Sequence, residues 1–455
     1  HRLIRRQRQM CIRDSIYTYI IKMLRNFLKT AVKTDKRYVT ENSFKHQVTT
    51  YARPSSIIIT SGKNVTLHDS INNKSYLDFT AGIAVTSLGH NNPKIAKIIS
   101  KQVSGTDGLI HSSNLYYNKE ALELAELLVT KTKESGGMND AERVFFCNSG
   151  TEANEAAIKF AIKYKQSKIN DSNKKLKFLA FENSFHGRTL GALSVTSNLK
   201  YRAPFQSALM DVDFIALSEI ETSLAEKLNS ENESIAGCII EPIQGEGGIF
   251  PIPSQVLTSL KAILSKYDIP LIYDEIQCGI GRSGKLWAHS HLDSNAHPDI
   301  VTCAKALGNG FPIGAVIISE KINDTIKVGD HGTTFGGNAL GCAVGKYVVN
   351  TISDEEKFLK KVVKKGKYLK KQLEKRFVSK HPDICNEVRG MGLMLGLDFK
   401  ESPSALVKEC QENGLLVITA GKSTVRFVPA LTIKKDEIDQ GLKIFEKCFN
   451  KVYSK

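Results

Sequence analysis

Residues 270–315 read PLIYDEIQCGIGRSGKLWAHSHLDSNAHPDIVTCAKALGNGFPIGA. Two apolar runs in it, Leu271 to Tyr273 and Ile300 to Cys303, are too short for helices, and the first charged residues after them are Asp274 and Lys305. Strands of a parallel α/β sheet are buried on both faces and read as short continuous apolar runs, and ligands bind beyond their carboxyl ends. The two ends are separated by roughly the length of a βαβ unit, about thirty residues. The acid and the amine are therefore expected to face one crevice.

A lysine at a strand end beside an apolar wall can have its pKa lowered, which frees the amine as a Schiff-base nucleophile. An aspartate opposite it suits a pyridinium nitrogen: pyridoxal phosphate is an electron sink while that nitrogen stays protonated, and a carboxylate keeps it so. Taken alone, an Asp and a Lys after apolar runs read more plainly as solvated loop residues. The other motifs reverse that balance.

The chain has 455 residues, 41% hydrophobic and 24% charged, enough for a sizeable core and for more than one domain. No apolar run reaches the length of about 18 residues that a membrane span needs. The formal charge is +16, but residues 1–45 carry twelve Lys/Arg against three Asp/Glu, so most of the excess is local. The basic run Lys360 to Lys371 shares a helical pattern with Phe358, Val362, Leu369, Leu373 and Phe377 and reads as a solvated helix face. No nucleic-acid motif is recognisable, and neither nucleic acid nor membrane is expected as a partner. Nine scattered cysteines, without a CxxC or a Cys/His cluster, fit a reduced compartment and no metal site.

From Met23, MLRNFLKTAVKTDKRYV places Leu24, Phe27, Leu28 and Ala31 on one helical face and Arg25, Lys29 and Lys33 on another, with no acid before Asp35. That is the pattern of a mitochondrial transit peptide, assigned to residues 23–45. Residues 1–22 fit neither a presequence nor a core element and are expected to be a non-native extension. Short strands are expected at Ser56 to Thr60, Val65 to His68 and Ser75 to Phe79, and TAGIAVTSLGHNNPKI, residues 80–95, reads as a loop entering a helix.

In VFFCNSGTEANEAAIKFAIKYK, residues 144–165, Val144 to Cys147 reads as a buried strand. Ser149 to Glu152 fits a capping box, and Ala153, Ala156, Ala157, Phe160 and Ala161 follow helical period. A helix start after a strand and a glycine offers backbone N–H groups and a dipole to a phosphate, although simple β–α turns look the same. Phe178 to Phe181 leads into ENSFHGRT, where Phe185 could lie on a planar ring and Arg188 could fork onto a carboxylate. Cys238 to Ile240 ends in EPIQGEGG, so Glu241 or Glu246 could enter the crevice, and HGTTFGGN adds the hydroxyls of Thr333 and Thr334. From about Ser353 the rhythm changes. A long amphipathic helix precedes strands around Glu387 to Leu397, Leu415 to Thr419 and Val425 to Val428, with Arg426 in the last, and a final helix turns Ile438, Leu442, Phe445 and Phe449 inward. That order indicates a smaller α+β domain.

NSGTEANEAA, NSFHGRT, EPIQGEGG, DEIQCGIGR, KALGNGFP and HGTTFGGN, in this order and spacing, resemble the class-III pyridoxal-phosphate aminotransferases of fold type I over residues 54 to 453. Within that family, GKLWAHSHL, NSFHGRTLGALSVT and AGKSTVRFVPALTI look most like members that act on N-acetyl-ornithine in fungal mitochondria. The resemblance implies an α/β fold: a large cofactor domain over residues 90–345 with a mostly parallel seven-stranded sheet, and a small α+β domain from residues 46–89 and 346–455. It implies that Lys305 holds pyridoxal 5'-phosphate covalently and later shuttles the proton, that Asp274 pairs with the ring nitrogen and that Gln277 reaches the ring hydroxyl. Gly150 and Thr151 would bind the phosphate, Thr334 would reach it from a second subunit, and Phe185 would stack on the ring. Arg188 would bind a substrate carboxylate with Thr333 of the neighbour nearby, and Glu246 with Arg426 would form a switchable pair.

The implied activity is ping-pong transfer of the δ-amino group of N-acetyl-ornithine to 2-oxoglutarate, giving N-acetylglutamate 5-semialdehyde and glutamate, by a homodimer with shared sites in the mitochondrial matrix. Ornithine, 4-aminobutyrate or succinylornithine as the amine donor would need only small changes, since one pocket contact shifts preference by about 1–3 kcal/mol. A non-catalytic binding protein using the basic N-terminus is the reading from a different class. The intact Asp274, Lys305 and phosphate turn weigh against it.

Overall fold

The computed structural model describes residues 41–171, 173–353 and 356–453. The expected extension 1–22 and transit peptide 23–45 lie outside the described residues, apart from the short helix Glu41–Lys45. Of the described residues, one compact unit takes those up to Thr60 together with Asp69–Lys74, and the other takes Ser61–His68 and those from Ser75 onward.

In the first unit the Asp69 carboxylate accepts the backbone N–H of Ile58 at 2.8 Å and those of Ile71 and Asn72 at 3.0 and 2.9 Å. A backbone donor taken by a side chain is lost to a ladder. Ser56 to Thr60, expected as a strand, is accordingly not one. In the second unit, pairing begins with Ser61–Lys63, Ser61 opposite His68 and Lys63 opposite Thr66.

The second unit is built on a seven-stranded sheet. Its spatial order is Ala141–Cys147, Gly314–Ser319, Ile300–Cys303, Leu271–Asp274, Ile235–Ile240, Lys177–Phe181 and Val212–Ile215. Gly314–Ser319 runs antiparallel to both its neighbours and every other pairing is parallel, so the sheet is mostly parallel as expected. Every residue of Ile235–Ile240, Leu271–Asp274, Ile300–Cys303 and Gly314–Ser319 is buried, which is why these strands read as unbroken apolar runs rather than alternation. The helix Gly150–Gln166 covers one face through Ala153, Ala156, Ala157, Phe160 and Ala161, all buried.

The C-terminal strands form a second, antiparallel sheet in the order Cys385–Met391, Met394–Phe399, Thr424–Phe427, Ile418–Ala420. Gly392, at φ +58, makes the tight turn between the first two, where a side chain would be strained. The expected run Leu415 to Thr419 is divided: Leu415–Leu416 pairs parallel with Lys74–Asp78, and only Ile418–Ala420 joins the antiparallel sheet. Val417, fully buried between them, is where the chain changes sheets. The helix Lys435–Tyr453 buries Ile438, Leu442, Phe445 and Phe449 as its spacing requires. Cutting Phe445 to alanine would cost about 3–5 kcal/mol.

Candidate active site

Ile272, Tyr273 and Asp274 pair with Ile300, Val301 and Thr302, so the carboxyl ends of these adjacent parallel strands deliver Asp274 and Lys305 to one edge of the sheet. Asp274 is buried and one of its oxygens is held twice, by Asn154 Nδ2 and by His186 Nδ1, each at 2.8 Å. Asn154 Nδ2 also donates to the His186 carbonyl at 2.6 Å, and its Oδ1 accepts from Thr302 at 2.8 Å. Among the described residues the other Asp274 oxygen accepts only the Ile276 N–H at 3.0 Å. A buried carboxylate is thereby fixed in orientation with lone pairs to spare.

Lys305 opens the turn Lys305–Gly308 in the left-handed region, at φ +39. A non-glycine residue there costs on the order of 1–3 kcal/mol and persists only where its surroundings impose the conformation. Asn309, just beyond, supplies an anchor: its Oδ1 accepts the Leu88 N–H at 2.6 Å and its Nδ2 donates to Gly89 at 3.2 Å. Among the described residues the Lys305 amine has no hydrogen-bond or ion-pair partner. Burial, with the Arg426 charge adding to it, holds that amine below the ordinary lysine range.

Glu241, at the end of Ile235–Ile240, points inward and accepts the backbone N–H of Phe185 at 3.0 Å and of Gly245 at 2.9 Å. One buried carboxylate thus ties together the loops that carry Phe185 and Glu246. Burial pushes Glu241 well above its ordinary range, against the pull of the nearby His186 ring. Arg426, 2% exposed, donates from Nη1 to Gln277 at 3.1 Å and from Nη2 to Glu246 at 2.9 Å. The Arg188 guanidinium lies 3.6 Å from the Tyr201 ring centre and 5.4 Å from that of Phe185. Phe185, Tyr201 and Glu246 line a cavity of about 920 Å³.

At the start of Gly150–Gln166, Ser149 Oγ accepts the Glu152 N–H, while Glu152 reaches back to the Asn148 N–H at 2.9 Å and the Ser149 hydroxyl at 3.2 Å. This is a capping box displaced by one residue. Among the described residues the N–H groups of Gly150 and Thr151 find no acceptor. Gly187, at φ +144, lets the next loop press onto Thr151, whose Oγ1 accepts the N–H of Arg188 at 3.2 Å. A family model described as Aminotransferase class-III matches residues 48–449. The chain belongs to the class-III aminotransferases.

Two kinds of relative accompany that match. The mitochondrial acetylornithine aminotransferase of Candida glabrata is 55% identical over 437 residues, covering 95% of this chain and 100% of that protein. The crystal structure of N-acetylornithine aminotransferase from Stenotrophomonas maltophilia superimposes with a TM-score of 0.73 at 32% identity, over 88% of this chain and 97% of that one. The ornithine aminotransferase of Toxoplasma gondii gives 0.82 at 27% identity, over 94% and 98%.

Class-III aminotransferases depend on pyridoxal phosphate, and the residues of this class-III aminotransferase fit that group. Among the described residues, an amine without a partner at Lys305, a buried and oriented carboxylate at Asp274, and two open N–H groups at a helix start are the donors and acceptors it needs. Gln277, Glu246 and Arg426 are linked by contacts, as are Phe185, Arg188 and Thr151. Thr333 and Thr334 join neither group directly. They border a separate cavity of about 420 Å³ with Asn114, whose amide reaches both their carbonyls, and Thr333 Oγ1 accepts from Asn148 at 3.0 Å.

Reading the residues alone missed Asn154, His186 and Tyr201. Asn154 left a signal, because helical period sets it on the face of Ala157 and Ala161, where a polar residue needs a buried partner. His186 sits inside NSFHGRT beside two residues that were noticed. Which of four neighbouring side chains turns inward is decided by the loop and not by its spelling.

Proposed function

We propose that this protein is an acetylornithine aminotransferase. It moves the δ-amino group of N-acetyl-ornithine to 2-oxoglutarate, with pyridoxal phosphate held at Lys305 and Asp274, in the mitochondrial matrix. The observation that carries this is the lowered Lys305 amine, without a partner among the described residues, at the same sheet edge as a doubly held Asp274 in a chain 55% identical to a protein of that name. The names of the curated relatives support the substrate and the location.

When bound, pyridoxal phosphate supplies the aldehyde that takes up the amine and the ring that accommodates negative charge. Gly150 and Thr151 would hold its phosphate, Phe185 would lie beside its ring and Gln277 would reach its hydroxyl. Asp274, oriented by His186 and Asn154, would keep the proton on the ring nitrogen. Lys305 Nζ, neutral more readily than an ordinary lysine, takes a proton from the substrate carbon that bears the amine and gives it up again. Arg188 holds the substrate carboxylate farthest from that carbon. Arg426, closed on Glu246 while the uncharged chain of acetylornithine is bound, opens to receive the second carboxylate of 2-oxoglutarate. Acetylation removes the charge of the α-amine, so only the δ-amine can react.

We place the domain limits at residues 46–89 with 346–455 for the small domain and 90–345 for the large one. The pairing of Leu415–Leu416 with Lys74–Asp78 supports joining the two ends of the chain in one small domain. The protein acts as a homodimer in which Thr333 and Thr334 of each chain serve the other's site. Their place on a small open cavity with Asn114, close in sequence to exposed Leu115, Tyr116, Tyr117 and Phe335, supports that assembly. No described helix is long and apolar enough to cross a membrane.

The test is initial-rate kinetics with 2-oxoglutarate as acceptor. Parallel double-reciprocal lines and a kcat/KM for acetylornithine above those for ornithine and 4-aminobutyrate are expected. A higher kcat/KM for either of the other amines would move the enzyme to a sister activity.

A further inference from the structure

The two arginines proposed to meet carboxylates are held in opposite ways. Arg426 is closed by Glu246 and Gln277. Arg188 has no acceptor for its guanidinium among the described residues and lies on aromatic rings instead, 3.6 Å from the centre of Tyr201. A ring face attracts the cation through its quadrupole without occupying the N–H donors, which stay free along the edge of the plane. An acid in the same place would consume those donors and repel an incoming carboxylate.

Tyr201 is itself held. It lies on the short helix Leu199–Arg202, capped by Asn198, whose side chain accepts the Lys200 N–H. The next residue, Arg202, rests 4.4 Å from the ring centre of Phe214, on the sheet strand Val212–Ile215. Phe185 meets Tyr201 edge-on, at 6.4 Å and 85°. The sheet therefore fixes the Tyr201 ring through Phe214 and Arg202, and the ring fixes the plane of Arg188.

We infer that Tyr201 is the positioning residue for substrate carboxylates: it keeps Arg188 flat, open and uncompensated, so that Arg188 receives a carboxylate in both half-reactions while Arg426 alternates. This rests on the proposed role of Arg188 and adds to it the device that holds the arginine ready.

The experiment compares acetylornithine with N-acetyl-1,4-diaminobutane, the same amine without its carboxylate, in the wild-type holoenzyme and in Tyr201→Leu and Tyr201→Phe. Binding of glutarate, an unreactive dicarboxylate, is measured by calorimetry alongside. Tyr201→Leu is expected to raise KM for acetylornithine and 2-oxoglutarate, and Kd for glutarate, by about 5- to 30-fold with kcat little changed, while N-acetyl-1,4-diaminobutane is unaffected. Tyr201→Phe, which keeps the ring, restores most of the affinity. Equal losses on both amines, or an unchanged Kd for glutarate in Tyr201→Leu, would overturn the inference and leave the role of Arg188 standing. A wild-type enzyme that uses the two amines equally well would overturn the role of Arg188 and the inference with it.

Discussion

Arg426 and Glu246 meet at 2.9 Å with unequal burial: the arginine side chain is 2% exposed and the glutamate 38%. A buried guanidinium is held by a carboxylate that still has access to the cavity. Such a pair opens by moving the glutamate, because Gln277 and the Thr419 carbonyl retain the arginine.

Replacing Glu246 by glutamine keeps a hydrogen-bond acceptor and removes the charge that competes with an incoming dicarboxylate. Glu246→Gln is expected to lower KM for 2-oxoglutarate and to cut kcat/KM for acetylornithine roughly tenfold, the size of one charge-assisted contact. Steady-state kinetics on both substrates checks this. Unchanged values for both would remove Glu246 from the pocket.

His186 holds Asp274 at 2.8 Å. In His186→Phe, Asp274 keeps Asn154 but loses its second donor, and loss of a supporting contact of this kind costs roughly 10- to 100-fold. The loss should fall on kcat and on cofactor retention, with KM for acetylornithine little changed. A rise confined to KM would show that His186 serves the substrate instead.

Arg282 is buried, with no acid bound to it among the described residues. Its Nη1 donates to the carbonyls of Leu393 and Pro429 and its Nη2 to Ser87 Oγ, and burial lowers its pKa to about 9. Three segments distant in sequence are pinned by one side chain from the loop after Asp274. Arg282→Leu leaves buried carbonyls unsatisfied and should destabilise the fold by about 3 kcal/mol, seen as an earlier denaturant midpoint. An unchanged midpoint would mean that water replaces it.

His297 is buried 5.3 Å from the His289 ring, and burial, reinforced by His289, lowers its pKa to about 4. Its neutral form is the one that the fold accepts. The stability this implies is fully present above the unfolded value near 6.5 and is lost as pH falls through about 4. His297→Leu should therefore be less acid-sensitive than wild type between pH 7 and pH 4.5, by on the order of 2 kcal/mol. Parallel denaturation curves at the two pH values test it, and an identical pH dependence in the variant would contradict it.

Much of this was legible beforehand, for identifiable reasons. Leu271 to Tyr273 and Ile300 to Cys303 declared buried parallel strands because both faces of such strands must be apolar, and the residues after them named the crevice. The helix at Gly150 was legible from its cap and period. Ser56 to Thr60 misled because alternation cannot reveal that Asp69 takes the Ile58 N–H, and Leu415 to Thr419 because a change of sheet at Val417 leaves no local mark. Tyr201 was invisible for a third reason. Its partner, Arg188, lies on another loop, and only the fold brings ring and guanidinium together.

The most direct test of the central claim is the half-reaction followed by absorbance. Protein beginning near Tyr38 and loaded with pyridoxal phosphate is mixed in turn with acetylornithine, ornithine and 4-aminobutyrate, with no 2-oxo acid present and Lys305→Ala as control. Rapid bleaching of the yellow cofactor band by acetylornithine, slow bleaching by the other two and no such band in Lys305→Ala are the predicted results. Faster bleaching by ornithine or 4-aminobutyrate would contradict the assigned substrate, and a band that persists in Lys305→Ala would show that another lysine holds the cofactor.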